Sequence, residues 1–77
     1  MKKYLIVIEK TLTGFSTYSP DLDGGVSTGA TSQEVEQNVR EALAFHVDGL
    51  QQEGQRVPEP RAYSVYLELP DSAQSEF

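Results

Sequence analysis

The chain has 77 residues and no cysteine, so it is long enough for one domain but cannot use disulfides to support the small core of such a chain. Oligomerisation is the remaining common source of stability, and we expect a homodimer or a higher homo-oligomer. Twelve acidic residues against six basic ones give a formal net charge of −6. This charge disfavours direct binding to nucleic acid and suits a basic protein partner. In the alternative explanation, the charge only keeps a small protein soluble.

The apolar run nearest the N-terminus is Tyr4–Ile8, which ends at Glu9. A secretory signal needs about 7–15 apolar residues and a membrane span needs about 20. The run is shorter than either, so we expect a cytoplasmic protein without a membrane partner.

Three strands are predicted before the helix. Tyr4–Ile8 is β-branched and aromatic, and because both of its faces are apolar it is expected to be central in the sheet or covered by an oligomer partner. Lys10–Gly14 is predicted to form a turn. Phe15–Ser19 is predicted to be the second arm of a hairpin, which Pro20 ends. Val26–Thr28 is a short third strand.

A helix is predicted over Ser32–Glu53. Thr31 and Glu34 have the spacing of a capping box, and Gly54 is placed to end the helix. The apolar positions follow a helical period and form one face: Val35, Val39, Ala42, Leu43, His46 and Leu50. His46 lies near the centre of that face, so a packed structural role is expected.

The segment Arg61–Leu69 alternates between apolar and polar residues and predicts a fourth, half-buried strand that Pro70 stops. Residues 71–77 are polar and are expected to form a flexible C-terminal tail after a domain spanning residues 1–70. Together these elements predict a two-layer α+β fold of order β-β-β-α-β, with an antiparallel sheet and one long helix.

The sequence offers little for catalysis. It has one histidine and no cysteine, and it matches no phosphate-loop motif. Asp21 and Asp23 resemble the start of a calcium loop, but Gly25 and Ser32 occupy later positions where such a loop needs oxygen ligands. We therefore expect a protein that is not an enzyme and that needs no cofactor or metal.

An ordered set of segments resembles the HicB antitoxin family: Gly14–Gly24, Thr28–Thr31, Glu34, Asn38, Glu41–Ala42, His46–Leu50 and Gly54–Pro60. The resemblance implies a partial RNase H-like fold. It also implies an antitoxin of a type II toxin–antitoxin system that binds and neutralises a HicA-type toxin, a basic mRNA-cleaving ribonuclease. The chain departs from the family pattern at Gly25, where cysteine is frequent, and at Ala30, where an acidic residue is frequent.

The turn formed by Asp21, Leu22, Asp23 and Gly24 is predicted to dock the toxin. Leu22 would be an apolar anchor flanked by two charged contacts. In the alternative, Leu22 packs inward and the aspartates only solvate the turn. The alternative function is that of an orphan oligomer without a toxin, which is either structural or retains residual nuclease activity through Asp21, Asp23 and helix carboxylates.

Overall fold

The computed structural model describes residues 2–71 and contains three strands and one helix within that range. The elements in chain order are β1 (Val7–Lys10), β2 (Phe15–Tyr18), β3 (Ser27–Gly29) and α1 (Ser32–Gln52). The strands form an antiparallel sheet in the order β1-β2-β3, and α1 packs on β2 and β3. This confirms the predicted α+β class. Both ends of the predicted helix lie within one residue of the observed bounds.

The β1–β2 hairpin pairs Val7 with Tyr18 and Lys10 with Phe15. Its turn is closed by a 2.8 Å hydrogen bond from the Thr11 N–H to the Gly14 carbonyl. β1 begins at Val7 rather than at Tyr4, and it lies at an edge of the sheet. Of the two predicted alternatives, a central position is wrong, because no described strand pairs with the other side of β1, and cover by an oligomer partner stays a prediction.

The start of α1 is capped as the sequence predicts. The Thr31 hydroxyl accepts a 3.0 Å hydrogen bond from the Glu34 N–H. The Glu34 carboxylate reaches back and accepts from the Ala30 N–H at 3.0 Å, one residue before the usual partner in a capping box. Both interactions satisfy backbone donors where the chain enters the helix.

The end of α1 has the two hydrogen bonds of a Schellman motif. The Gly54 N–H donates to the Gln51 carbonyl at 3.1 Å, and the Gln55 N–H donates to the Leu50 carbonyl at 2.8 Å. Gly54 has a φ of +72°, a conformation that side-chain-bearing residues adopt only with strain. The predicted role of Gly54 at the helix end is confirmed.

The core lies where α1 meets the sheet and the loop before β3. Its buried apolar side chains are Leu22, Val35 and Val39. Gly29 allows this close approach, since a Cβ there would lie 2.6 Å from the backbone nitrogen of Val35. The core is small, as expected for so short a chain.

The predicted fourth strand, Arg61–Leu69, is wrong for this structure. Residues 61–69 have no regular secondary structure and nearly all of them are exposed. A strand exists only within a ladder, and this segment pairs with no described strand. The Cα radius of gyration is 15.8 Å, well above the about 11–12 Å of a compact chain of this length. Of the predicted tail 71–77, only Asp71 lies within the described residues.

Candidate partner-binding surface

The loop between β2 and β3 is held by its own hydrogen bonds. The Ser19 hydroxyl accepts from the Leu22 N–H at 3.3 Å, and the Gly25 N–H donates to the Leu22 carbonyl at 3.2 Å. The buried Thr17 hydroxyl donates to the Gly25 carbonyl at 2.9 Å. These contacts fix the backbone on both sides of Leu22.

Leu22 points inward. Its side chain is only 2% exposed and belongs to the core. It is therefore not an exposed apolar anchor in this structure, which agrees with the alternative in which it packs beneath the loop. A toxin-docking role for the loop as a whole stays a prediction.

Asp21 contacts a distant part of its own chain. One oxygen of its carboxylate accepts hydrogen bonds from the backbone N–H groups of Arg61 and Ala62, each at 3.0 Å. These bonds to Ala62 and Arg61, with a smaller contribution from the positive charge of Arg61, hold the pKa of the Asp21 carboxyl below its ordinary value. Asp21 thus has a structural role that the sequence did not predict.

The remaining two loop residues lie nearer the surface. Asp23 is exposed. Gly24 is half-buried against the helix, where a Cβ would come within 2.5 Å of the His46 ring carbon Cγ. His46 is itself half-buried, and its structural role stays a prediction.

A shallow groove of about 380 Å³ runs from Gly24 along the second half of α1. It is lined by Gly24, Ala42, Phe45, His46, Gly49, Leu50 and Glu53. Phe45 is 82% exposed there, and the exposed Asp48 lies one turn further along the same helix. Phe45 and Glu53 line the groove, Asp23 directly precedes its lining residue Gly24, and Asp48 directly precedes its lining residue Gly49. We call Asp23, Phe45, Asp48 and Glu53 the acidic groove surface.

Sequence reasoning missed Phe45. The residue falls outside the predicted apolar stripe of α1, and a large aromatic side chain off that stripe is the signal that could have identified it. Exposed aromatic residues are enriched among those that dominate binding at interfaces. The combination of an exposed ring and neighbouring carboxylates is chemically suited to a basic protein surface.

Two further properties concern the described residues only. No three histidine or acidic side chains between residues 2 and 71 gather in a way that could hold a metal ion. The helix of this part of the chain is also not apolar enough to cross a membrane.

The sheet and the helix form a small two-layer α+β domain that carries the acidic groove surface. The chain belongs to the HicB-like antitoxins of bacterial toxin–antitoxin systems, whose family model matches residues 4–75. The resemblance noted in the sequence is therefore confirmed across almost the whole chain.

Two curated relatives are similar to this chain. An uncharacterized 14.9 kDa protein from the rep-hol intergenic region of Haemophilus phage HP1 is 32% identical over 68 residues, covering 88% of this chain and 51% of the phage protein. A UPF0150 protein of Synechocystis is 38% identical over 56 residues, covering 71% of each chain. This chain thus spans about half the length of the phage relative.

Proposed function

We propose that this chain is a non-enzymatic antitoxin that acts in the cytoplasm, where it binds a HicA-type mRNA-cleaving ribonuclease and covers its active surface. The family match over residues 4–75 carries the proposal. The net charge of −6 supports it, because a ribonuclease that binds RNA phosphates presents a basic surface. Family membership also favours assignment of the sheet and helix to a partial RNase H-like fold.

The acidic groove surface is the part of the structure best suited to this partner. Its exposed carboxylates would raise the association rate with a basic protein. Phe45 replaces Leu22 as the apolar anchor, because the Phe45 ring is 82% exposed whereas Leu22 is 2% exposed. Asp23 retains the charged role predicted from the sequence.

Co-expression tests the function. We expect that a neighbouring reading frame encodes a short, basic ribonuclease, which should arrest growth when expressed alone, and that this chain should restore growth. The purified pair should form a complex in which RNA cleavage is inhibited. Arrest that persists despite soluble, folded antitoxin would contradict the proposal.

Substitution of the anchor tests the surface. Phe45→Ala should weaken toxin binding by roughly tenfold or more, the effect of removing an interface residue that contributes at least about 1.4 kcal/mol. Leu12→Ala is the matched control, since Leu12 is a fully exposed apolar residue in the β1–β2 turn. Equal affinity of Phe45→Ala and wild type would place the toxin elsewhere.

A second candidate is an oligomer that has no toxin partner. It is favoured by the large exposed apolar side chains between residues 63 and 69, which a self-assembling protein would cover. Self-association without any ribonuclease binding would support this candidate over the antitoxin.

A further inference from the structure

The chain contains the dipeptide Asp–Gly twice, at Asp23–Gly24 and at Asp48–Gly49. This dipeptide rearranges without an enzyme when the backbone nitrogen of the glycine attacks the side-chain carboxyl carbon of the aspartate before it. Glycine is the most permissive residue for this attack, because it has no side chain to obstruct the approach and its backbone rotates easily. The two copies have the same covalent chemistry, so a difference in their reactivity comes from the fold.

The first copy lies in the turn between β2 and β3. Asp23 and Gly24 are the two residues between Leu22 and Gly25, whose 3.2 Å backbone hydrogen bond closes the turn. Within residues 2–71, neither the Asp23 carboxylate nor the Gly24 N–H takes part in a hydrogen bond. Asp23 is also exposed to water. The two groups that would react are therefore not occupied by other contacts in this part of the chain.

The second copy lies inside α1. Each N–H in the interior of an α-helix donates to the carbonyl four residues earlier, and the Gly49 N–H is one of these donors. The Asp48 carboxylate accepts a 2.8 Å hydrogen bond from the Gln52 side-chain amide. The attack would require the helix to open at Gly49, and opening a regular element costs more free energy than rotation within an exposed turn.

We propose that Asp23 is a site of spontaneous isomerisation to isoaspartate and that the helix protects Asp48 from the same reaction. The Gly24 nitrogen bonds to the side-chain carboxyl carbon of Asp23, and the carboxyl hydroxyl leaves with the proton of the Gly24 N–H as one molecule of water. The product is a cyclic imide. One molecule of water then opens the imide, and cleavage at the original backbone carbonyl leaves isoaspartate, whereas cleavage at the new bond restores aspartate.

Isomerisation alters the loop where it lies closest to the helix. Isoaspartate lengthens the main chain by one methylene group, and even a Cβ added at Gly24 would come within 2.5 Å of the His46 ring carbon Cγ. The ends of the turn are held in place, since Leu22 is buried and the Gly25 carbonyl accepts from the buried Thr17 hydroxyl. The longer loop is therefore displaced from the helix, and the isomerised chain is less stable.

The reaction also changes the acidic groove surface, because isoaspartate retains its negative charge but carries the carboxylate directly on the α-carbon. The charge at position 23 thus moves relative to the exposed ring of Phe45. Slower association with a basic ribonuclease would follow, and this consequence alone rests on the proposed function. The isomerisation itself involves only the chain and water.

Incubation of the purified full chain in neutral buffer over several weeks tests the proposal. Trypsin cleaves after Arg40, so the two dipeptides fall in separate peptides, and mass spectrometry with electron-transfer fragmentation measures isoaspartate in each. Isoaspartate should accumulate at position 23 at least about tenfold faster than at position 48, since the helix has to break backbone hydrogen bonds before Gly49 reacts.

The unfolded chain is the control for the fold. In urea both dipeptides lack protection, so positions 23 and 48 should react at similar rates. Asp23→Glu is the matched variant, because it keeps the charge while its longer side chain would have to close a larger ring, which forms far more slowly. Aged wild type should melt at a lower temperature than fresh wild type, whereas aged and fresh Asp23→Glu should melt at the same temperature.

Three results would overturn the proposal. Equal accumulation at positions 23 and 48 of the folded chain would mean that the helix gives no protection. Reaction at position 23 in urea but not in the folded chain would show that the turn holds the dipeptide in an unreactive form. An equal fall in the melting temperature of aged Asp23→Glu would assign the loss of stability to another change. None of these measurements involves a toxin, so their outcome is independent of the proposed function.

Discussion

Asp21 and Ala62 are 41 residues apart in the chain, and the Asp21 carboxylate accepts a 3.0 Å hydrogen bond from the Ala62 backbone N–H. The same carboxylate oxygen accepts from the Arg61 N–H. The contact joins the β2–β3 loop to the chain that follows the helix. It also fixes the point at which the exposed segment leaves the domain.

The first prediction is that this contact depends on pH. The Asp21 pKa is lowered from 3.8 by its two backbone hydrogen bonds, the one to Ala62 being the larger cause. A lowered pKa in the folded state means that the unfolded chain takes up the proton first. The stabilisation is therefore present above pH 3.8 and is lost as the pH falls through the lowered pKa. Amide hydrogen exchange at Ala62 should speed up over that range, beyond its intrinsic pH dependence.

Two variants control this measurement. Asp21→Asn keeps an acceptor oxygen but has no proton to gain, so the excess pH dependence at Ala62 should disappear. Asp23→Asn removes a carboxylate two residues away and should leave it unchanged. If the excess pH dependence of amide exchange at Ala62 persists in Asp21→Asn, then another titratable group controls exchange there.

The second prediction concerns the N-cap. Thr31→Ala removes the oxygen that accepts from the Glu34 N–H and should lower the free energy of unfolding by about 1 kcal/mol. Thr31→Ser retains that oxygen and should lose much less. Urea denaturation of both variants measures the difference. Equal loss in the two would show that the threonine methyl group, rather than the cap, is responsible.

The helix could be predicted because its signals are local. Thr31 and Glu34 are three residues apart, and Gly54 directly follows the end of the helix, so no tertiary contact is needed to interpret them. The β1–β2 hairpin, which turns at Lys10–Gly14, was predictable for the same reason. Each of these elements appears in the structure within a few residues of its predicted bounds.

The prediction of a fourth strand is wrong because alternation shows which side chains of a segment could be buried on one face, and not whether a partner strand lies beside it. Residues 61–69 keep their apolar face exposed in the single chain. The candidate site was limited in the same way. Turn formers predicted the loop around Leu22, but only the packing shows that Leu22 is buried and that Phe45 is exposed.

The third prediction compares two glycines. Gly24→Ala would place a Cβ within 2.6 Å of the His46 Cβ and within 2.5 Å of its ring carbon Cγ. Such overpacking costs about 1–3 kcal/mol, so the melting temperature should fall. Gly49→Ala lies inside α1, and apart from its two chain neighbours and the helix's own nearby backbone no described atom lies within 4 Å of the new methyl group. It should stabilise the protein by about 0.5–1 kcal/mol, since alanine favours the helix.

The outcomes of the two glycine variants check the packing of the loop on the helix. Gly24→Ala as stable as wild type would show that the loop is not held against His46.

His46→Leu should keep the fold, whereas His46→Asp should destabilise it by placing a charge at a half-buried position. Thermal denaturation monitored by circular dichroism is sufficient for all four.

The fourth prediction isolates the charge of Asp23 in toxin binding. Asp23 is exposed, whereas Asp21 holds the chain at Ala62, so of these two aspartates Asp23 is the one that can lose its charge without loosening the fold. Asp23→Asn should slow association with the basic ribonuclease, because rim charges act mainly on the association rate. The difference from wild type should fade with salt, as the Debye length falls from about 10 Å at 0.1 M to about 3 Å at 1 M. Stopped-flow measurements over that range of salt give the association rates of the variant and of wild type.

Glu9→Gln is the control: it removes one exposed charge from β1 instead and should have the smaller effect. If both variants slow association equally, the net charge of the whole chain attracts the toxin and the β2–β3 loop has no special part in docking.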